Sequence, residues 1–557
     1  MDINTKSALA NHLLEIKLQS KAVYQKPFFD VCLDVVFTDP KGKQRKVPAY
    51  WAGKNCWTVR YSSAVLGKHQ FITLCNDTNN SALHNIQGDI EITAYKGDNA
   101  LLRYGAPAVA SDKRHFCYTD GTPFFWLGDT WWLGLTKRLN WPDSFKTLAK
   151  DRQKKGFTIV QIVAGLYPDM AAFDARGASN AGFAWEDDFT TINPAFFDEA
   201  DARIMYLVSL GISPCILGCW GYYLQWLGIE KMKLHWRYLM ARWGALPVVW
   251  TASGEQIMPW YLSEKKEADS AWLKHEWTAV IRYMHEINAF DRMITTHPQS
   301  SAQTCVEDPT LLDFEMQQTD HRSPTFLQAA RATEGWHTAP TMPVMNGESR
   351  YEALEITPKV TTSNARQAFW AHMLNSGCAG HTYGVNGVWQ VNLENNPFGK
   401  SPNGHNWGVT PWDKAMVLPG STQLSLAKKL LLNLPWQRLE PILPQTRKWG
   451  KYRTLISLFK HYQDPIAAAA SPNGELAIYY FLNLKPALIK LQRFTQPIVA
   501  FWFDPTNGNT IASSTRNKGN QLTFAPPGHN ADNEKDWVLI ITTENIQGKL
   551  IRNIGSY

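Results

Sequence analysis

Between about residues 112 and 436, short apolar runs alternate with helix-patterned stretches. This alternation limits the fold of the chain more than any other feature. Parallel strands need long crossovers, usually helical, so repeated strand–helix units point to a parallel sheet. Eight runs read as strands: 123–129, 157–165, 212–220, 247–255, 292–298, 311–320, 342–349 and 377–384. Helical patterns fill most of the intervals. SFKTLAKDRQKKG ends in basic residues and a glycine, which is a helix stop. PAFFDEADARIMYLVSLG, KLHWRYLMARWGAL, SAWLKHEWTAVIRYMHEI, NARQAFWAHMLNSG and STQLSLAKKLLLNL follow in later intervals. An open doubly wound sheet is the rival arrangement, but no GxGxxG opens the first turn, so nothing supports a dinucleotide fold. Eight units in this span favour a (β/α)₈ TIM barrel.

The flanks differ. Residues 1–110 hold short β-prone runs such as FFDVCLDVVF and HQFITLC, separated by turn signals such as DPKGK and NDTNN. Residues 438–557 return to that style in GELAIYYFLN, IVAFWFDP and DWVLIITT. The expected architecture is α/β: an N-terminal β-sandwich over 1–110, the barrel over 111–437, and a C-terminal β-sandwich over 438–557. The eight cysteines are scattered, with no CxxC spacing, and read as reduced thiols. No apolar run of 18 residues suggests a membrane span, and no dense Lys/Arg run suggests nucleic acid; the net charge of +7 is a mild bias. The first thirty residues show no signal-peptide pattern. That predicts a cytoplasmic protein as the chain stands, or a periplasmic or secreted one if a leader has been removed.

In such a barrel, chemistry collects at the C-terminal ends of the strands. Those ends are polar here: Asp129, Glu255, His297, Gln317 with Gln318, Glu348, and His381 with Tyr383. Glu255 in TASGEQ ends the fourth strand and Glu348 in VMNGES the seventh, on opposite sides of the barrel mouth. Each follows a glycine, which leaves room for a ligand. Glycoside hydrolysis needs such a carboxyl pair, one protonating the leaving oxygen and the other attacking or activating water. The chain also has 24 Trp and 20 Tyr, whose flat faces stack on sugar rings as well as packing cores. Asp129 is a candidate for the floor of the sugar site, or a cap on the following turn. Trp131 and Trp132 divide between a stacking platform and the core, and Trp220 opens an aromatic loop, WGYYLQW. His297 and His321 are candidate hydroxyl ligands. Only one of Gln317 and Gln318 can face inward, and Gln318 is taken as that one. Tyr383 is placed to hydrogen-bond Glu348 and hold it ionised, and Trp389 to close the pocket. The long segment after the second strand, 165–194, carries Asp169, Trp185 and the acidic run Glu186–Asp188, and reads as a binding loop. Neither HExxH nor GxSxG occurs, so no metal or cofactor and no nucleophilic serine is expected.

Several motifs in order also resemble a known family. RHFCYTDGTPFFWLGDTWW, KKGFTIVQIV, MPVMNGESRYE and GCAGHTYGVNGVWQ look like the apiosidase-like glycoside hydrolase barrel, the DUF4038 type. The flanks resemble the domains that accompany it, a DUF5060-like sandwich and a collagen-binding-like sandwich; the second match rests on FWFDPTNGNTIAS and DWVLIITT. The resemblance implies that Glu255 is the acid/base and Glu348 the nucleophile of a retaining reaction. The family's strand-four motif reads GGD where this chain has Ser253-Gly254-Glu255, so apiose specificity is not implied. The expected activity is exo-acting hydrolysis of a plant, algal or microbial oligo- or polysaccharide. A non-catalytic carbohydrate-binding protein, and an inverting hydrolase or lyase acting on an acidic glycan, stand as alternatives.

Overall fold

The computed structural model describes residues 6–442, 465–513 and 521–543. Eight parallel strands form one sheet: β1 (Trp126–Thr130), β2 (Ile159–Val163), β3 (Ser213–Leu217), β4 (Val249–Thr251), β5 (Ile294–Thr295), β6 (Glu315–Gln318), β7 (Val344–Glu348) and β8 (Gly380–Tyr383). Their order is β5-β4-β3-β2-β1-β8-β7-β6, a ring in sequence order cut between β5 and β6. Asp313 spans the cut. Its N–H donates to the Ile294 carbonyl at 2.9 Å, and its carboxylate accepts from the Ile294 N–H at 2.7 Å. All eight strands are buried along their length, which is why they read as apolar runs rather than as alternating ones.

Six helices fill crossovers, α1 (Asp143–Lys154), α2 (Pro194–Ser209), α3 (Tyr223–Trp243), α4 (Lys266–Ile287), α5 (Thr325–His337) and α6 (Thr362–Asn375), and α7 (Pro419–Leu432) follows β8. The crossover from β5 to β6 has only two short 3₁₀ turns, Ala302–Cys305 and Pro309–Leu311. Helix α5 went unread in the sequence. Its buried face is mostly Ala, Thr and Gln, a weak apolar stripe. The stretch WGYYLQW is not a loop throughout: from Tyr223 it is the first turn of α3, which kinks at Gly228, where φ is +75°. Glycine takes that conformation without steric cost.

The N-terminal region has a five-stranded and a three-stranded sheet sharing a core that includes Leu18, Val35, Phe37, Trp57 and Ile90. Its Arg60 donates to the Asp201 carboxylate of α2 at 3.0 Å, and Arg242 of α3 reaches the same carboxylate at 3.0 Å. The C-terminal region has a six-stranded and a two-stranded sheet. It rests on α6, where Arg366 holds Asp536 through two hydrogen bonds of 2.8 and 2.7 Å and Trp370 stacks on Tyr480. Among the described residues, no helix is long and apolar enough to cross a membrane. All eight cysteines are free thiols.

Candidate active site

The two glutamates reach the barrel mouth by different routes. Glu348 is the last residue of β7. The pairing of β6 with β7 shifts register there: Gln317 opposes Asn346 and Gln318 opposes Glu348, so Gly347 bulges out between them. A bulge re-aims the side chains beside it, and this one brings Gln318 level with Glu348. Glu255 lies beyond β4, which ends at Thr251, so alternation along a strand does not set its direction. Its backbone instead adopts φ +40°, a left-handed conformation uncommon for a side-chain-bearing residue. Backbone hydrogen bonds hold this turn: His297 N–H to Ser253 at 3.0 Å, Gln256 N–H to His297 at 3.1 Å, and Met258 N–H to Glu255 at 2.7 Å.

The amide of Gln318 joins the pair. Its Nε2 donates to Glu255 Oε1 at 3.1 Å and to Glu348 Oε1 at 2.9 Å. Two oxygens held by one nitrogen at these distances are at most about 6 Å apart. His321 Nε2 lies 3.1 Å from the same Glu348 Oε1, and His297 Nε2 lies 3.2 Å from Oε2. His321 Nδ1 is 2.8 Å from the Ser349 carbonyl and so must carry a proton to donate there. Holding Glu348 with Nε2 as well requires the imidazolium form.

These surroundings push the two carboxyls apart. Burial and the neighbouring Glu348 charge raise Glu255 to about 8, against a weaker opposing effect from Gln318. Burial alone would raise Glu348 too, but the close imidazoles of His321 and His297 outweigh it and hold this carboxyl well below the usual range. At neutral pH the site therefore presents one protonated acid and one carboxylate, the division of labour that acid/base chemistry requires.

Both glutamates line a cavity of about 330 Å³. Trp132, Trp220, Trp389 and Trp407 supply aromatic wall; Gln318, His321, Asp169 and Asp320 supply polar groups. Of the residues expected in the site from sequence, Glu255, Glu348, Trp132, Trp220, Gln318, His321 and Trp389 share this cavity. His297 stands behind Glu348, edge-on to Trp132 at 5.4 Å between ring centres.

Three expected residues lie elsewhere. Asp129 is fully buried between barrel and helices, 2.6 Å from the Arg152 guanidinium of α1, and accepts from the Trp131 indole at 2.7 Å. Its carboxylate is thus a structural counter-ion outside the cavity lining, and Trp131 is core. Tyr383 donates to Glu352, not to either glutamate of the pair. Tyr351 takes the position beside Glu348: it lines the cavity and hydrogen-bonds Thr130 at 3.3 Å, while burial and the Glu348 charge keep its phenol protonated.

The glycines before each glutamate also have a different purpose from the one their size suggested. A β-carbon on Gly254 would lie 2.1 Å from the Trp220 ring, and one on Gly347 would lie 2.5 Å from Met316. The space belongs to packed side chains, not to a ligand. In the segment after β2, Trp185 is buried and Glu186–Asp188 are exposed; only Asp169, with Pro168, reaches the cavity. Tyr261 and Trp407 were not found from sequence, because both lie in irregular segments where no periodicity orients a side chain.

Comparison with known proteins bears on the family and the fold. A model of the apiosidase-like catalytic domain matches residues 110–438, a domain of unknown function (DUF5060) matches 10–76, and a putative collagen-binding domain of a collagenase matches 455–542. No curated protein sequence matches the chain. Among solved structures, a putative glycoside hydrolase from Bacteroides vulgatus superposes with a TM-score of 0.70 at 15% identity, covering 97% of this chain and 100% of that one. A glycoside hydrolase family 5 protein from the same organism gives 0.64 at 20% identity, covering 80% and 94%. These likenesses are of fold, while the family match spans more than half of the sequence. The chain therefore belongs to the apiosidase-like family of glycoside hydrolases.

Proposed function

We propose that the protein is a retaining, exo-acting glycosidase with Glu348 as nucleophile and Glu255 as acid/base. The observation that carries this reading is the shared Gln318 amide, which limits the two carboxyl oxygens to about 6 Å apart. Retaining pairs stand about 5–5.5 Å apart, whereas inverting pairs need about 6.5–9.5 Å to admit water between carboxyl and sugar. In the first step the Glu348 carboxylate attacks the anomeric carbon, and Glu255 gives its proton to the departing glycosidic oxygen. In the second, Glu255 takes a proton from water, the water oxygen bonds to the anomeric carbon, and the Glu348–sugar bond breaks. Exo action is supported by the small, aromatic-walled cavity, sized for a chain end. The substrate class is a plant, algal or microbial oligo- or polysaccharide.

The test is a screen of aryl glycosides and glycans with wild type, Glu348→Gln and Glu255→Gln, and NMR of the first-formed anomer. Glu348→Gln should abolish turnover. Glu255→Gln should lower it by about 10²–10⁴-fold on unactivated glycosides. Inverted product, or near-normal rates in both variants, would overturn the assignment.

A further inference from the structure

A second concavity adjoins the catalytic cavity. It encloses about 680 Å³ and shares Met258, Tyr261 and Gln299 with the first. Its floor is the segment that leaves Glu255, Ile257–Tyr261, and its far wall is the first turns of α4 with Lys266, Ser270 and Lys274. Asn403, from the segment after β8, faces these residues. The catalytic assignments fix which end of a substrate this groove meets. The donor sugar lies against Glu348, and the leaving oxygen lies against Glu255. Chain continuing past that oxygen runs along the residues that follow Glu255.

We infer that this groove is the leaving-group site, and that it holds the glycan beyond the first leaving-side sugar. The inference rests on the glycosidase reading and extends it from a chain end to an oligosaccharide with at least two sugars on its leaving side. The chemistry of the lining supports that occupant. Ile257, Met258, Pro259 and half-buried Trp260 form an apolar strip for the C–H face of a sugar. Trp260 is fixed edge-on against Tyr222, Trp226 and Tyr261, with ring centres 5.1, 4.9 and 5.4 Å away, so its plane is set before a ligand arrives. The rim of Lys266, Glu267, Ser270, Lys274 and Asn403 offers donors and acceptors of both signs, as ring hydroxyls need. An exo enzyme releases the remainder of the chain, and this groove is where that remainder would lie.

The experiment compares kcat/KM for the p-nitrophenyl glycoside and for oligosaccharides of the same linkage with one, two and three leaving-side sugars. Wild type should gain about tenfold or more between one and two. Trp260→Ala should erase that gain while one-sugar cleavage stays within about threefold. Because Trp260 also packs on other aromatics, Ala271→Trp provides a second variant that fills the groove from the exposed face of α4 and should erase the gain likewise. A flat wild-type series, or a gain that survives in both variants, overturns the groove assignment and leaves the glycosidase reading intact. Inversion, or activity in Glu348→Gln, would count against the retaining assignment of Glu348 and Glu255, and the length dependence would still judge the groove.

Discussion

At the scale of single residues, the site works by keeping two like groups in opposite protonation states. The sign of the resulting pH dependence follows from which form each step needs. As the proposed acid/base, Glu255 must be protonated to begin catalysis, and burial beside Glu348 raises it to about 8, so kcat/KM should hold through neutrality and fall as pH rises through about 8. As the proposed nucleophile, Glu348 must be ionised, and its two histidine neighbours keep it so far below the usual carboxylate range. Measured on an aryl glycoside with a good leaving group, Glu255→Gln should lose the alkaline limb, since no titrating acid remains. A limb persisting near pH 8 in that variant would assign it to another group. Gln318 and the two histidines were legible in the sequence as polar residues at strand ends, where a barrel interior is otherwise apolar. Asp129 was equally legible but misleading. Strand position cannot distinguish a side chain at the mouth from one meeting the helix layer, and the partner that decides it, Arg152, is 23 residues away on α1. Tyr351, Tyr261 and Trp407 left no signal, because each belongs to a segment whose course is set by tertiary contacts.

At the scale of elements, the eight-fold alternation carried most of the fold. Each of the eight strands lies within or one residue beyond its predicted run, because strands buried on both faces cannot hide their composition. The shortfall was in the strand ends. TASGE reads as one extended run, yet β4 stops at Thr251 and the chain turns at Glu255 with φ +40°. What makes that turn possible is Gly254, over which the Trp220 ring lies against bare backbone. Gly254→Ala should force the indole or the turn to move, an overpacking that costs about 1–3 kcal/mol. Since Trp220 is cavity wall and Glu255 is the next residue, kcat/KM should fall together with the melting temperature. Gly347→Ala makes a similar clash on paper, but its neighbours are Cγ and Sδ of Met316, a flexible side chain that yields more cheaply. The Gly254 variant should therefore be the worse of the two in thermal melts and in activity. Equal or reversed effects would mean that the Trp220 contact does not hold the turn.

At the scale of the whole molecule, the two flanking β regions are fastened to the barrel by buried charge rather than by apolar contact alone. On the N-terminal side Asp201 of α2 gathers Arg60, Arg242 and the Trp243 indole. On the C-terminal side Asp536 gathers Arg366, Tyr480 and Asn530, and both members of the ion pair are about 1% exposed. A buried pair of this kind contributes little net stability when intact, yet removing one partner strands the other in a low-dielectric interior at a cost of about 3–5 kcal/mol. Arg366 sits on α6, the crossover between β7, which carries Glu348, and β8. The C-terminal sheet thus braces the helix behind the strand of Glu348 without touching the cavity. Asp536→Ala should lower the temperature of thermal inactivation by several degrees while leaving kcat at 25 °C within about twofold of wild type. Pairing it with Arg366→Met removes the stranded charge and should recover part of the loss, which a purely steric defect at Asp536 would not allow. If Asp536→Ala alone abolished activity at 25 °C with the fold intact by circular dichroism, the C-terminal region would be acting on the chemistry itself, and the brace would have to be redrawn as part of the active site.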